Sequence, residues 1–296
     1  MKNILIPTDF SACANYATEA AFLFAEKLGA NLHFLTCIHI PHDWDNYSEE
    51  RKNNYPEAKQ LISNANQLFE KIRIKAVKKG ISLETSISGG EFMKAVQKEV
   101  IATQADFVVM GSHGKSGKPE YLMGSNAQQV VRKIHLPVFV TKDPLKKLSF
   151  KQVIFASTFN TEDKTSFARF LDFIRPFQPE TIHLLSIDTF GWFSQPTQVM
   201  KAAMEDFKEM VKNYNCETHF HKSFSVDAGV RDFAETINAD LMVISNHERH
   251  PIKRIFQGSN VEAIVNHTDL PVLSIDFAAL AEATEADKLI TREYLL

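Results

Sequence analysis

Two stretches of this chain repeat one another at a single fixed offset, and that repetition limits the possible folds more than any other feature. Asp106 to Thr141 aligns with Asp240 to Ile275 without a gap: Ala105-Asp106 meets Ala239-Asp240, Gly124-Ser125 meets Gly258-Ser259, and Leu136-Pro137-Val138 meets Leu270-Pro271-Val272. Near the start of each half, Ile4-Leu5-Ile6 is mirrored by Val153-Ile154-Phe155. Such agreement points to duplication of one folding unit. A chain of 296 residues, at roughly 100 to 200 residues per domain, has room for two. Thr141 to Ser149 is short, charged and contains Pro144, so it reads as the linker. The expected domains are 1–143 and 150–277, followed by a tail, 278–296, with no counterpart in the first half.

Within the first copy, short apolar runs alternate with helical patterns. Ile4-Leu5-Ile6, Leu32 to Ile38, Ser82 to Ser88, Phe107 to Met110 and Val138-Phe139-Val140 read as strands. Between them, Ala17, Ala20, Ala21, Phe24, Ala25 and Leu28 fall at helical spacing after a capping Ser11. Leu61, Ile62, Ala65, Leu68, Phe69, Ile72 and Ala76 trace a long amphipathic helix, and Phe92 to Thr103 a third. Pro41 to Tyr55 has no period and reads as a long loop. Strands alternating with helices imply parallel βαβ units with right-handed crossovers. The fold class is therefore α/β, with two tandem Rossmann-like domains, each an open five-stranded parallel sheet with helices on both faces. In such sheets ligands bind beyond the carboxyl ends of the strands, where the strand order reverses.

The strand Phe107 to Met110 leads into Gly111, Gly114, Gly117 and Gly124-Ser125, then into a helix carrying Ala127, Val130, Val131 and Ile134, with Ser125 as its expected cap. Glycines at this spacing let backbone N–H groups approach an anion, and a helix start adds further donors. Gly114-Lys115-Ser116 is not a Walker loop, which needs glycine five positions before Gly114, where Val109 stands.

Gly111, Gly114 and Gly124-Ser125, taken with Ile4-Leu5-Ile6-Pro7-Thr8-Asp9-Phe10-Ser11, resemble the ATP-binding branch of the universal stress proteins, and the likeness runs over nearly the whole chain, twice. The resemblance implies strand order 3-2-1-4-5, which sets Asp9 beside the Gly111 loop. It assigns Pro7, Thr8 and Asp9 to the adenosine end of ATP, Ile38 to adenine through its backbone, and Met110 to the same crevice. Gly111, Gly114 and Lys115 would approach ribose and phosphates, with Gly124, Ser125 and Asn126 donating from the helix start; a magnesium ion could accompany the phosphates. Lys115 and Asp9 also have bland readings, as a solvated lysine and a turn residue. Single-domain members dimerise through the edge of strand 5. Val138 to Val140 against Val272 to Ile275 would make the intramolecular equivalent, a pseudo-dimer, with homodimerisation through the tail left open.

The second copy departs from this pattern. Pro7 and Asp9 correspond to Ala156 and Thr158, Gly111 to Ser245 and Gly114 to Glu248, while Gly258-Ser259 is retained. Only the first half is expected to bind ATP; Arg249, His250, Lys253 and Arg254 read as a solvated basic loop.

Elsewhere the sequence mostly excludes. The net charge of −3 offers no electrostatic case for nucleic acid or an anionic membrane, and no apolar run is long enough to span one. Met1-Lys2-Asn3-Ile4 runs into a strand without signal-peptide character. Cys13, Cys37 and Cys216, an odd set without a CxxC pair, fit a reducing cytoplasm. His113 lacks a supporting acid and reads as an exposed loop residue rather than a general base. His219 and His221 share one strand face and His183 lies on another strand, yet without a carboxylate or cysteine at characteristic spacing they read as surface histidines rather than zinc ligands. His39, His42 and Asp43 read as solvated. The function expected is a cytoplasmic stress protein that senses ATP. The alternatives are an enzyme of the same superfamily, for which no HIGH, KMSKS or SGGxDS motif is present, and a scaffold that binds no nucleotide.

Overall fold

The computed structural model describes residues 2–41, 44–112, 123–189, 197–246, 268 and 270–276. The chain divides into two compact units, the change from one to the other falling between Leu148 and Ser149.

The first unit runs β1 (Asn3–Pro7), α1 (Ala12–Leu28), β2 (Asn31–Cys37), α2 (Glu49–Lys52), α3 (Pro56–Lys79), β3 (Leu83–Ser88), α4 (Phe92–Thr103), β4 (Phe107–Gly111), α5 (Ser125–Lys133) and β5 (Val138–Thr141). Its strands are parallel in the order β3-β2-β1-β4-β5. The second unit runs β6 (Gln152–Ala156), α6 (Asp163–Ile174), β7 (Thr181–Asp188), α7 (Thr197–Lys208), β8 (Asn215–Lys222), α8 (Val226–Ile237), β9 (Leu241–Asn246) and β10 (Val272–Asp276). Its order, β8-β7-β6-β9-β10, is the same topology again.

Continuous apolar runs became central strands because both their faces are covered: Ile4, Leu5, Ile6, Val108 and Val109 are fully buried, as are Val153, Ile154 and Phe155. In α1, Ser11 accepts a hydrogen bond from the Ala14 N–H, and Gly29 closes the helix at φ 63° with its N–H on the Ala25 carbonyl. The small side chains of Ala17, Ala20 and Ala21 are buried, and Phe24 fills the gap between sheet and helix, its ring edge-on to Phe107 at 5.3 Å and to Phe139 at 5.0 Å.

The repeated Ala-Asp pair has a structural reason. Asp106 Oδ2 accepts the Asn3 N–H at 2.7 Å, while Asp240 Oδ2 accepts those of Lys151 and Gln152 at 2.8 and 2.9 Å. In both units an aspartate ahead of the fourth strand thus satisfies the entering backbone of the first, which has no ladder partner there.

Two local expectations are corrected. The segment read as a loop from Pro41 to Tyr55 contains a 3₁₀ turn, Trp44–Asn46, and the short helix α2, whose cap Ser48 accepts from the Arg51 N–H; the aromatic rings of Trp44, Tyr47 and Tyr55 gather about it. Such a cluster has no period, so the pattern did not show it. Ser125 does not cap α5 but is its first residue; Gly124 is the cap, at φ −63° and ψ 146°, with no side chain to contribute.

Because Phe24 touches both β4 and β5 neighbours, Phe24→Ala is expected to destabilise the first unit by about 3–5 kcal/mol, read as a lowered midpoint in urea unfolding. A change below about 1 kcal/mol would mean that this contact is not central to the core.

Candidate functional site

In the first unit the strand order reverses between β1 and β4, so the turns that follow these two strands lie side by side. After β1, the Thr8 N–H donates to the Leu35 carbonyl at 2.8 Å and continues the ladder one residue past the strand. Phe10 then turns the chain at φ 59°, a left-handed conformation that costs a bulky residue energy. Two side-chain bonds hold it there. Thr8 Oγ1 accepts the Phe10 N–H and Asp9 Oδ1 accepts the Ser11 N–H, both at 3.0 Å.

After β4, Gly111 is required by packing. A β-carbon at this position would stand 2.6 Å from the Cys13 carbonyl carbon and 2.7 Å from its oxygen, so only glycine admits the first turn of α1 against the end of the strand. Ser112 donates its N–H to the Thr141 carbonyl at 3.0 Å and accepts the Gly124 N–H at 2.7 Å. That second bond joins the end of β4 to the start of α5, although Gly124 lies far along the chain. Among the described residues no side chain caps α5, and Ser125 and Asn126 are exposed, so the helix start carries first-turn N–H groups of the kind suited to an anion.

Pro7, Thr8, Asp9, Met110, Gly111, Gly124, Ser125 and Asn126 are therefore gathered at one end of the sheet, with Thr8 and Met110 buried. Ile38 follows β2 at the same end, but its N–H already donates to the Ser88 carbonyl at 3.0 Å and its carbonyl accepts from Ile40 at 3.1 Å. Gly114, Lys115 and His113 lie outside the described residues, as do His42 and Asp43.

The second unit reproduces the turn and then sets a buried carboxylate beside it. Phe159 has φ 53°, and Ser157 Oγ accepts its N–H at 2.9 Å as Thr8 does for Phe10. Asp163, fully buried, stands between this turn and the end of β9. Its Oδ2 accepts from Ser157 Oγ at 2.5 Å, Thr158 Oγ1 at 3.4 Å and the Asn160 N–H at 3.1 Å, and its Oδ1 accepts from Ser245 Oγ at 2.9 Å. Ser245, standing where the first unit has Gly111, carries the β-carbon that glycine avoids. Accordingly α6 begins two residues later than α1 does relative to the shared turn. Sequence reasoning found the Asp9-to-Thr158 and Gly111-to-Ser245 changes but missed Asp163. An acid in a first helical turn looks like an ordinary partner for the helix dipole. Glu248, the basic loop and Gly258-Ser259 lie outside the described residues.

The other candidates sort plainly. All three cysteines are free thiols; burial pushes Cys37 and Cys216 up to about 11, with Glu99 adding to the effect at Cys37, so neither is a thiolate at neutral pH. The reading of His183 as a surface residue is corrected: it is 4% exposed and its Nδ1 lies 3.0 Å from His219 Nε2, because β7 and β8 are neighbours and their register brings the rings together. An open depression of about 640 Å³ beside α3 shares no residue with the crevice; Glu49 and Lys52 on its wall pair with each other at 3.1 Å. Among the described residues no helix is long and apolar enough to cross a membrane.

Compared with known proteins, the chain matches the family model described as the universal stress protein family at residues 1–142 and again at 152–275. Universal stress protein Slr1230 of Synechocystis sp. is 24% identical over 300 residues, spanning 93% of this chain and 99% of that protein. Universal stress protein MJ0531 of Methanocaldococcus jannaschii is 27% identical over 154 residues, 49% of this chain and 85% of its own length. Among solved structures, a universal stress protein from Archaeoglobus fulgidus superposes with a TM-score of 0.65 at 18% identity, covering 93% of this chain and 96% of that one. At that identity the likeness is one of fold.

Asp163→Ala would remove the acceptor shared by three hydroxyls and a backbone N–H. It is expected to cost about 3 kcal/mol, measured as a fall in the unfolding midpoint of the second unit; an unchanged midpoint would show that the buried carboxylate does not hold the crevice together.

Proposed function

Because this chain belongs to the universal stress protein family, we propose that it binds one molecule of ATP, in the first unit, as a regulatory or sensing ligand in a cytoplasmic stress response. The observation that carries this reading is the Gly124 N–H bond to the Ser112 carbonyl. It sets the start of α5, which no described side chain caps, next to the end of β4 and beside the Asp9 turn, which supports a reading of adenosine-type and phosphate-type contacts within one crevice.

In this reading Pro7, Thr8, Asp9, Ile38 and Met110 face the adenosine end. Ile38 contributes the second lone pair of its carbonyl, since its N–H is engaged. Gly111, Gly114, Lys115, Gly124, Ser125 and Asn126 meet ribose and phosphates, and any magnesium ion is held mainly by the phosphates and water. No residue is assigned to bond breaking. The second unit does not bind in this way, because Asp163 already occupies the hydrogen-bonding groups at the equivalent place and a carboxylate there opposes an incoming phosphate.

Calorimetric titration of the full chain with ATP is expected to give one site. Asp9→Ala is expected to weaken it about tenfold, and Gly114→Asp to abolish it by placing a side chain and a like charge in the phosphate path, both without loss of fold by circular dichroism. Two equivalent sites, or unchanged affinity in Gly114→Asp, would overturn the assignment. Separation of products after long incubation distinguishes a bound regulator from a slow hydrolase.

A further inference from the structure

Toward the amino ends of the second unit's strands, away from its crevice, three potential ligands converge. His183 on β7 is paired in register with Glu217 on β8, and His219 lies two residues further along β8 on the same face. His183 Nδ1 is 3.0 Å from His219 Nε2 and 3.7 Å from Glu217 Oε2, and His219 Nε2 is 3.6 Å from that same oxygen. The circle through three points with these separations has a radius of about 2.0 Å, the length of a zinc–nitrogen or zinc–oxygen bond. We propose that His183, Glu217 and His219 form a binding site for a zinc-type divalent transition metal, completed by water.

The surroundings are those of a built site. His183 Nε2 lies 2.8 Å from Gln152 Oε1 on β6; as donor to that oxygen it keeps its proton on Nε2 and leaves the Nδ1 lone pair facing the other two ligands, the arrangement that orients metal-bound imidazoles. Asn215 Nδ2 donates to Glu217 Oε1 at 3.2 Å and so leaves Oε2 for the cluster. The Phe233 ring closes one side, 4.6 Å from His219 and 6.0 Å from His183. His183 is buried while the Glu217 side chain is half exposed, which gives an ion a way in. Burial lowers the pKa of both histidines, with His219 adding to this at His183 and Glu217 opposing it at both, a direction that favours the neutral imidazoles ligation requires. With His183 protonated on Nε2, the 3.0 Å contact has His219 Nε2–H donating to His183 Nδ1, and ligation through His219 Nε2 would require that proton to move to Nδ1.

The first unit is an internal control. His33 on β2 is in register with Glu84 on β3 as His183 is with Glu217, so a histidine–glutamate pair alone belongs to the repeat. The position of His219 is held there by Ser86, whose hydroxyl donates to Glu99 at 2.6 Å, and that of Gln152 by Asn3, bonded to Asn31 and Thr103 instead. Among the described residues His33 has no hydrogen-bond partner on either nitrogen, although Glu84 Oε2 is 3.3 Å away. The second histidine, and an amide long enough to bond the first, occur in the second copy and not in the first, and they turn a strand pair into a three-ligand set. Two imidazoles favour zinc over magnesium or calcium, which take oxygen ligands.

The test uses the full chain, stripped with a chelator and titrated calorimetrically with Zn²⁺, with Mg²⁺ as comparison. One equivalent of Zn²⁺ is expected at this site, and Co²⁺ in its place should give visible d–d absorption. His219→Ala is expected to weaken that equivalent at least about 100-fold and Gln152→Leu about tenfold, while His221→Ala leaves it unchanged. Should His219→Ala fail to fold, Glu217→Ala, at a half-exposed side chain, reads the same equivalent. No saturable Zn²⁺ binding by the parent chain, binding that His219→Ala or Glu217→Ala leaves intact, or loss on His221→Ala would overturn the proposal.

Discussion

A helix start packed against the end of a strand distinguishes the two halves of this molecule. In the first unit the approach of α1 to Gly111 is so close that a single β-carbon would meet backbone at 2.6 Å, and the space beyond is left to the turn at Asp9 and the start of α5. In the second unit Ser245 stands at that position, the helix begins later, and the side chain of Asp163 enters and bonds to Ser245 and Ser157. At one equivalent position, then, Gly111 packs against the first turn of α1 while Ser245 bonds to the carboxylate of Asp163. The glycine that sequence reasoning gave to a phosphate serves the packing of α1 first, and any ligand contact depends on that packing.

Duplication of a βαβ unit supplies the rest. Both copies keep the aspartate that satisfies the entering strand, the left-handed phenylalanine that turns the chain and the hydroxyl that holds that turn. These are backbone requirements, which change little when function changes because leaving a buried N–H unpaired costs about 1–3 kcal/mol. Elsewhere the copies diverge, at Asp9 against Thr158 and, on the opposite end of the sheet, at Ser86 against His219.

Much of this was legible in the amino-acid order. Strands buried on both faces are unbroken apolar runs, and α1 and α3 carry clean helical periods, so the parallel α/β architecture could be read directly. The strand order came only with the resemblance, since periodicity does not say which strands are neighbours. For the same reason the histidine cluster was undervalued: whether His183 meets His219 depends on the register of β7 with β8, which no spacing within either strand reveals. Asp163 was hidden by a two-residue shift in a helix start, and α2 by an aromatic cluster without period.

The central claim is that one crevice of the two is built for a nucleotide, and amide hydrogen exchange on the full chain with and without ATP tests it most directly. The account predicts added protection at Thr8 to Ala14 and at Gly124 to Gln128, with none at Ser157 to Asp163. Protection in the second segment, or no change in either of the first two at saturating ATP, would contradict it.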